Sequence, residues 1–224
     1  RGGESQTKIS NNIETPHVVS YKDEFIERLK KSDVRPGAAE YEFAGEQFFR
    51  PASLSELFQL LNTQPDARLI AGATELGLDI TKRYKKFPTL ISTEAVSELK
   101  TITSTTTEWQ IGAAVTLTDI QDQLGQEFPV LNNMLRVFGS RQIRNRATLG
   151  GNLVTASPIG DSAPVLLALE ASVVLASAGG TRTVPLGEFF PGYRQTQLRP
   201  DEAMQEIALP RGVPATLVAA QRAI

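Results

Sequence analysis

The chain has 224 residues, 41% of them hydrophobic and 21% charged, with a formal net charge of -2, which is the composition of an ordinary globular protein able to bury a core. The near balance of charge and the shortness of the basic clusters, Lys82 to Lys86 and Arg141 to Arg146, give no nucleic-acid footprint, and no apolar run suggests a membrane span or a secretory leader. Cysteine is absent and His17 is the only histidine, which excludes disulfides, iron-sulfur clusters held by this chain, thiol nucleophiles, His-dependent triads and multi-His metal sites; demanding chemistry would need an organic cofactor.

In chain order, residues 1–40 are polar with a Pro36-Gly37 break and read as a linker segment. Tyr41 to Phe49, with loosely alternating aromatic and charged residues, suits an entering strand. From Pro51 the pattern turns helical: Ser53 with Glu56 forms a capping box, and Leu54, Leu57, Phe58 and Leu61 share a face. Pro65 ends this helix, Arg68 to Ala71 is a short strand, and a small-residue loop begins at Gly72. Strands follow at Thr89 and at Trp109 to Ala114, where Trp109 is expected to fill core. Thr118 to Leu124 and Leu131 to Phe138 have helical spacing, and Phe138 could either complete that core or hold a bound ring beside Gly139. SAPVLLALEA after Asp161 predicts a helix with Pro164 in its first turn. SVVLAS, Gly179-Gly180 and TRTVPL predict a hairpin, FFPGYRQTQL a loop, and Met204 to Leu209 a last strand.

Two stretches carry chemistry. In Val137 to Asp161, VFGSRQIRNRATLGGNLVTASPIGD, Gly150 and Gly151 lack Cβ atoms, so a phosphate could approach their backbone N–H groups, with the Thr148 hydroxyl and Asn152 amide beside them. A lone Gly-Gly more commonly marks a tight turn between strands. Arg68 to Asp79, RLIAGATELGLD, has the same character and could form a second phosphate wall. Gly72 and Gly77 have P-loop spacing, but Leu78 and Asp79 stand where that motif needs Lys and then Ser or Thr, and no Gly-x-Gly-x-x-Gly follows a strand.

LIAGATELGL, FGSRQIRNRATLGGNLVTASPIGD and FFPGYRQT, in that order, resemble the FAD-binding domain of xanthine dehydrogenase and related molybdenum hydroxylases over roughly Tyr41 to Pro210. The resemblance implies an α+β fold of the vanillyl-alcohol-oxidase/CO-dehydrogenase-flavoprotein type. Its FAD-binding domain would be residues 41–224, with two lobes at roughly 41–125 and 126–210 and the glycine loops facing across a cleft. The family's further C-terminal domain is not visible, and the chain reads as a piece of something longer. By the same resemblance, Leu69, Ile70, Ala71, Gly72, Ala73, Thr74, Glu75 and Leu76, with Phe138, Thr148, Gly150, Gly151, Asn152, Asp161 and Met204, contact FAD. Met204 stands where the family has a leucine, an apolar exchange of similar volume. Arg194 in GYRQT could meet a nicotinamide substrate's phosphate or be a surface arginine. No side chain is expected to be catalytic and none to hold metal.

The implied function is that of a flavin-dependent oxidoreductase, the FAD part of a xanthine dehydrogenase-like enzyme of purine catabolism. It would pass electrons from 2Fe-2S clusters to NAD in a cytoplasmic oligomer whose iron-sulfur and molybdopterin domains lie outside this chain. The alternatives are the flavoprotein of an aldehyde oxidase or carbon monoxide dehydrogenase, and a flavin-free scaffold module. FFPGYRQT favours the xanthine branch, and intact Thr148, Gly150 and Gly151 argue against the scaffold.

Overall fold

In the computed structural model, which describes residues 37–212 and Glu27, two sheets divide the strands. The predicted linker at residues 1–40 lies almost wholly outside the described residues. The single entering strand is instead a hairpin, β1 (Ala39–Phe43) and β2 (Glu46–Arg50), because Ala44 and Gly45 take φ 52° and 80° and turn the chain back on itself. Two positive φ values in succession are the geometry of a tight hairpin turn; Ala44 lacks the Asn or Asp that usually announces one.

The first sheet has order β1-β2-β4-β3, with β3 (Arg68–Ile70) and β2 both parallel to β4 (Thr89–Ser92). Helix α1 (Leu54–Thr63) makes the β2-to-β3 crossover. Ser53 caps it by accepting from Glu56 N at 3.2 Å, Glu56 Oε2 accepts from Ala52 N at 2.8 Å, and Leu57, Phe58 and Leu61 are buried. Helix α2 (Leu76–Arg83) crosses from β3 to β4 where the sequence suggested only loop. It fully buries no side chain.

The second sheet has order β5-β6-β9-β7-β8, from β5 (Ile102–Ser104), β6 (Glu108–Gly112), β7 (Ser172–Ser177), β8 (Gly180–Pro185) and β9 (Ala203–Pro210), all antiparallel. Between β6 and β7 run α3 (Leu117–Leu124), α4 (Pro129–Val137), α5 (Arg141–Arg144), α6 (Leu149–Val154) and α7 (Ser162–Ala168). Their apolar faces build one core with the sheet, including Leu117, Leu135, Leu153, Leu166, Val173 and Ile207. The sheets therefore part between Ser92 and Ile102, not near Gln126. Trp109 pairs with Leu209 across β6 and β9, and this long-range pairing draws residues 102–125 into the second sheet. A smaller core joins Phe49, Leu57 and Ile91 to Ala114, Ala176 and Ala203, so small side chains of the second sheet's segments receive the first sheet's apolar ones.

The Pro191 to Pro200 segment, preceded by a short α8 (Leu186–Phe189), is pinned by an ion pair. Arg182 donates through Nε and Nη2 to Glu202 at 2.7 and 2.8 Å and through Nη2 to Gln197 O at 2.6 Å. That bidentate partner holds the buried Glu202 carboxyl below the usual carboxylate range. Among the described residues, no helix is long and apolar enough to cross a membrane.

Candidate functional site

Adjacent parallel strands deliver the loops after their carboxyl ends to the same sheet edge, which is where open parallel sheets present ligands. Here β3 releases Ala71 to Glu75 and β4 releases Thr93 and Glu94 side by side, tied by Thr93 N donating to Ile70 O at 2.9 Å. The second glycine motif reaches the same edge through an ordered contact. A Cβ on Gly72 would lie 1.6 Å from Arg146 O, so only glycine allows the two backbones to touch there. Arg146 Nη1 reaches Glu94 Oε1 at 2.8 Å, and this guanidinium is the leading cause holding the Glu94 carboxyl below its ordinary value.

The result is a small cleft of about 50 Å³ lined by Ala71, Gly72, Thr93, Lys100, Arg146 and Thr148 among others. A water-sized group needs ~10–15 Å³, so this space admits the oxygens of a phosphoryl group and not a ring system. A larger hollow of about 570 Å³ lies against β1, β2 and α1, lined by Phe49, Arg50 and Leu60 among others. It contains none of the predicted site residues and no unpartnered buried donor.

The donors divide unevenly between the two motifs. In the first loop, the amides of Ala71, Gly72, Ala73, Thr74 and Glu75 donate to no acceptor among the described residues. Ala73 holds φ 61°, a left-handed conformation uncommon for alanine and of the kind that occurs in anion-binding turns. The second motif is not a glycine loop. Gly150 and Gly151 lie inside α6, neither has positive φ, and every amide from Leu149 to Asn152 is used: by Val115 O, Ala113 O, Thr148 Oγ1 and Thr148 O at 3.3, 3.1, 3.1 and 3.0 Å. Gly150 is required for approach, since its Cβ would fall 2.6 Å from Ala113 Cβ. Gly151 is exposed, and a Cβ there would meet only the Thr148 hydroxyl, at 2.8 Å.

What α6 offers is side chains. Thr148, buried, accepts from Gly151 N and keeps its own hydroxyl proton to donate. Asn152 Oδ1 accepts from the buried Ser162 hydroxyl, which leaves the Asn152 amide N–H₂ free. Asp161 is exposed and makes no side-chain cap to α7. Phe138, which ends α4, is half-buried against the larger core, and Arg144 Nη1 holds its carbonyl at 2.9 Å. Trp109 packs half-buried on that same core, so burial does not separate the two rings. Met204 is 5% exposed inside the core, and Leu69 packs on the smaller core. The structure thus brings Ala71, Gly72 and Thr148 to one cleft. Met204 lies in the larger core, Leu69 packs on the smaller one, Ile70 ends β3 half-buried, and Leu76 opens α2.

Arg194 is exposed at φ 54°, with its guanidinium 5.8 Å from the Tyr193 ring centroid. Tyr193 first, and Glu75 of the first loop to a smaller extent, hold it still more firmly charged. Sequence reading missed Thr93, Lys100 and Arg146 as cleft residues. The readable signal for Thr93 was its place directly after a strand that pairs in parallel with the strand carrying the first loop.

A pyrophosphate is a fitting guest for this donor set: consecutive free amides, a buried threonine hydroxyl without a partner at Thr93, and two cations at the rim. Comparison with known proteins agrees. Residues 41–212 match the family of the FAD binding domain in molybdopterin dehydrogenase. The chain is 31% identical over 222 residues to a xanthine dehydrogenase of Emericella nidulans, covering 92% of this chain and 16% of that protein. Among solved structures, quinoline 2-oxidoreductase from Pseudomonas putida 86 aligns with a TM-score of 0.71 and 30% identity, over 78% of this chain and 61% of that one. A carbon monoxide dehydrogenase from Hydrogenophaga pseudoflava aligns with a TM-score of 0.70 and 31% identity, over 77% and 60%. The chain spans only about a sixth of the length of that xanthine dehydrogenase.

Proposed function

Because this chain belongs to the family of FAD-binding domains in molybdopterin dehydrogenases, we propose that it is the flavin-holding relay of a xanthine dehydrogenase-like molybdenum hydroxylase. It receives electrons from 2Fe-2S clusters and hands them to NAD, with the iron-sulfur and molybdopterin parts of the enzyme supplied outside these residues. FAD supplies the electron and hydride chemistry that no side chain here provides. The protein's own contribution is binding, orientation and exclusion of water.

The amides of Ala71 to Glu75 take the pyrophosphate oxygens, and the observation that carries this assignment is that none of them has an acceptor among the described residues, while Ala71 and Gly72 line a cleft with Lys100 and Arg146. Thr148 adds a hydroxyl donor and Asn152 an amide donor from α6. Asp161, exposed and free of a capping bond, accepts from ribityl hydroxyls. Phe138 offers a ring edge at the end of α4, while Gly150 and Gly72 let the backbones that carry these groups come into contact. Met204 and Leu69 contribute apolar packing in the two cores. Arg194, fixed on a segment stapled by Arg182 and Glu202, is positioned to meet a phosphate of NAD.

The similarity to quinoline and carbon monoxide oxidoreductases, at 30% and 31% identity beside 31% to the Emericella nidulans xanthine dehydrogenase, supports a second reading in which the acceptor is not NAD. Anaerobic titration of the FAD-loaded protein separates the two. Bleaching of the flavin by NADH, with no bleaching by xanthine, is expected. An oxidised flavin in the presence of excess NADH overturns the NAD assignment in favour of the second reading, and bleaching by xanthine alone overturns the division of labour.

A further inference from the structure

Two buried side-chain polar atoms lack a hydrogen-bond partner among the described residues: Arg144 Nε and Thr93 Oγ1. They differ in kind. Arg144 already satisfies the carbonyls of Phe138 and Gly139 through Nη1, at 2.9 and 3.0 Å, so its orphaned nitrogen belongs to a group that is otherwise engaged. Thr93 has one hydroxyl, the residue is 7% exposed, and no described residue hydrogen-bonds that oxygen. Desolvating a hydroxyl without a partner is unfavourable, and a valine of the same shape would avoid that cost.

The position of Thr93 explains the cost. Its backbone is fixed by the bond from its N–H to Ile70 O, at the root of the first loop, and Val96 N donates to its carbonyl at 3.2 Å. Its side chain lines the same cleft as Ala71, Gly72 and Thr148. Arg146 binds Glu94 Oε1 at 2.8 Å and Ser92 Oγ accepts from Glu94 N at 3.2 Å, and no described residue bonds to Thr93 Oγ1. We infer that Thr93 is a further cofactor-binding residue, outside both glycine motifs, whose hydroxyl donates to an oxygen of the FAD pyrophosphate. This rests on the flavin reading above and adds a residue that neither motif contains. Thr93 lines the cleft from the end of β4 and Thr148 lines it from the start of α6, so an anion there would be held from both segments.

The test compares Thr93→Val, Thr93→Ser and Thr93→Ala in the 224-residue protein, with dissociation constants measured for FAD, ADP and riboflavin and a thermal midpoint measured without ligand. Thr93→Val is expected to raise the dissociation constant at least about tenfold for FAD and for ADP, which share the pyrophosphate, and to leave riboflavin unchanged. Its ligand-free midpoint should equal or exceed that of the wild type, and Thr93→Ser should stay within about threefold of wild type for every ligand. Wild-type FAD affinity in Thr93→Val overturns the inference alone and assigns the hydroxyl to a bound water. Should Thr93→Val not fold, equal FAD affinity of Thr93→Ala and Thr93→Ser overturns it in the same way. A wild-type protein that takes up no FAD removes the flavin reading together with this one.

Discussion

The two glycine motifs look alike in sequence and do different work. Ala71 to Glu75 has free amides, an alanine held at φ 61°, and one glycine; Leu149 to Asn152 has two glycines and no free amide. In the second motif the glycines serve packing, since Gly150 lets α6 press onto Ala113 and the helix spends its own N–H groups on capping and on residues 113–115. Glycine therefore marks close approach in both places, and the proposed anion site rests on unpaired donors, which the sequence does not display. Substitutions at the two motifs should separate structural from binding effects accordingly.

The largest effect is expected at Gly72. A valine there would drive its Cβ into the Arg146 carbonyl at 1.6 Å, a backbone contact that cannot yield cheaply. Gly72→Val should lose more than the ~1–3 kcal/mol typical of overpacking and accumulate poorly as folded protein, read by denaturant unfolding. Next comes the pair Gly150→Ala and Gly151→Ala. The first places a Cβ 2.6 Å from Ala113 Cβ and 2.7 Å from its carbonyl, and should cost ~1–3 kcal/mol. The second gains helix propensity of ~0.5–1 kcal/mol and displaces only the Thr148 hydroxyl, so it should leave stability near wild type while weakening FAD. Equal losses of stability in the two would erase the distinction drawn between these glycines.

Thr148→Val should follow, losing about 1 kcal/mol for the missing cap and also weakening FAD through the lost hydroxyl, measured by unfolding and by cofactor titration. The smallest effect is the strap between motifs. Glu94→Gln removes an ion pair whose partners are 35% and 54% exposed, and should cost no more than ~1 kcal/mol. Its sign with pH follows from the lowered carboxyl. The contribution is fully present above the unfolded value near ~4.3, and it fades as pH falls through the lower folded value, so the mutant and wild type converge in acid. A gap that widens on acidification would contradict the pairing.

Much of the fold was legible locally. The Ser53-Glu56 box, the faces of α1 and α4, the turn at Gly179-Gly180 and the helix after Asp161 all appear where periodicity and capping place them. What failed depends on distant partners. The division of the sheets turns on Glu108 to Gly112 pairing with Glu206 to Pro210, a register no local window contains. The hairpin at Ala44-Gly45 and the left-handed Ala73 are conformations that alanine does not advertise. The second motif was misread as a loop because Gly-Gly is a poor helix sequence; Thr148 capping and tertiary contact with residues 113–117 override that propensity.

Amide hydrogen exchange resolved at single residues, with and without saturating FAD, tests the central claim most directly. Without FAD, the amides of Ala71 to Glu75 should exchange readily, while those of Leu149 to Asn152, already bonded within the chain, should be protected. With FAD, the first loop should slow by at least about tenfold and α6 should change little. Flavin uptake that leaves Ala71 to Glu75 exchanging as before, with new protection confined to α6, would contradict the assignment of the anion site to the first loop.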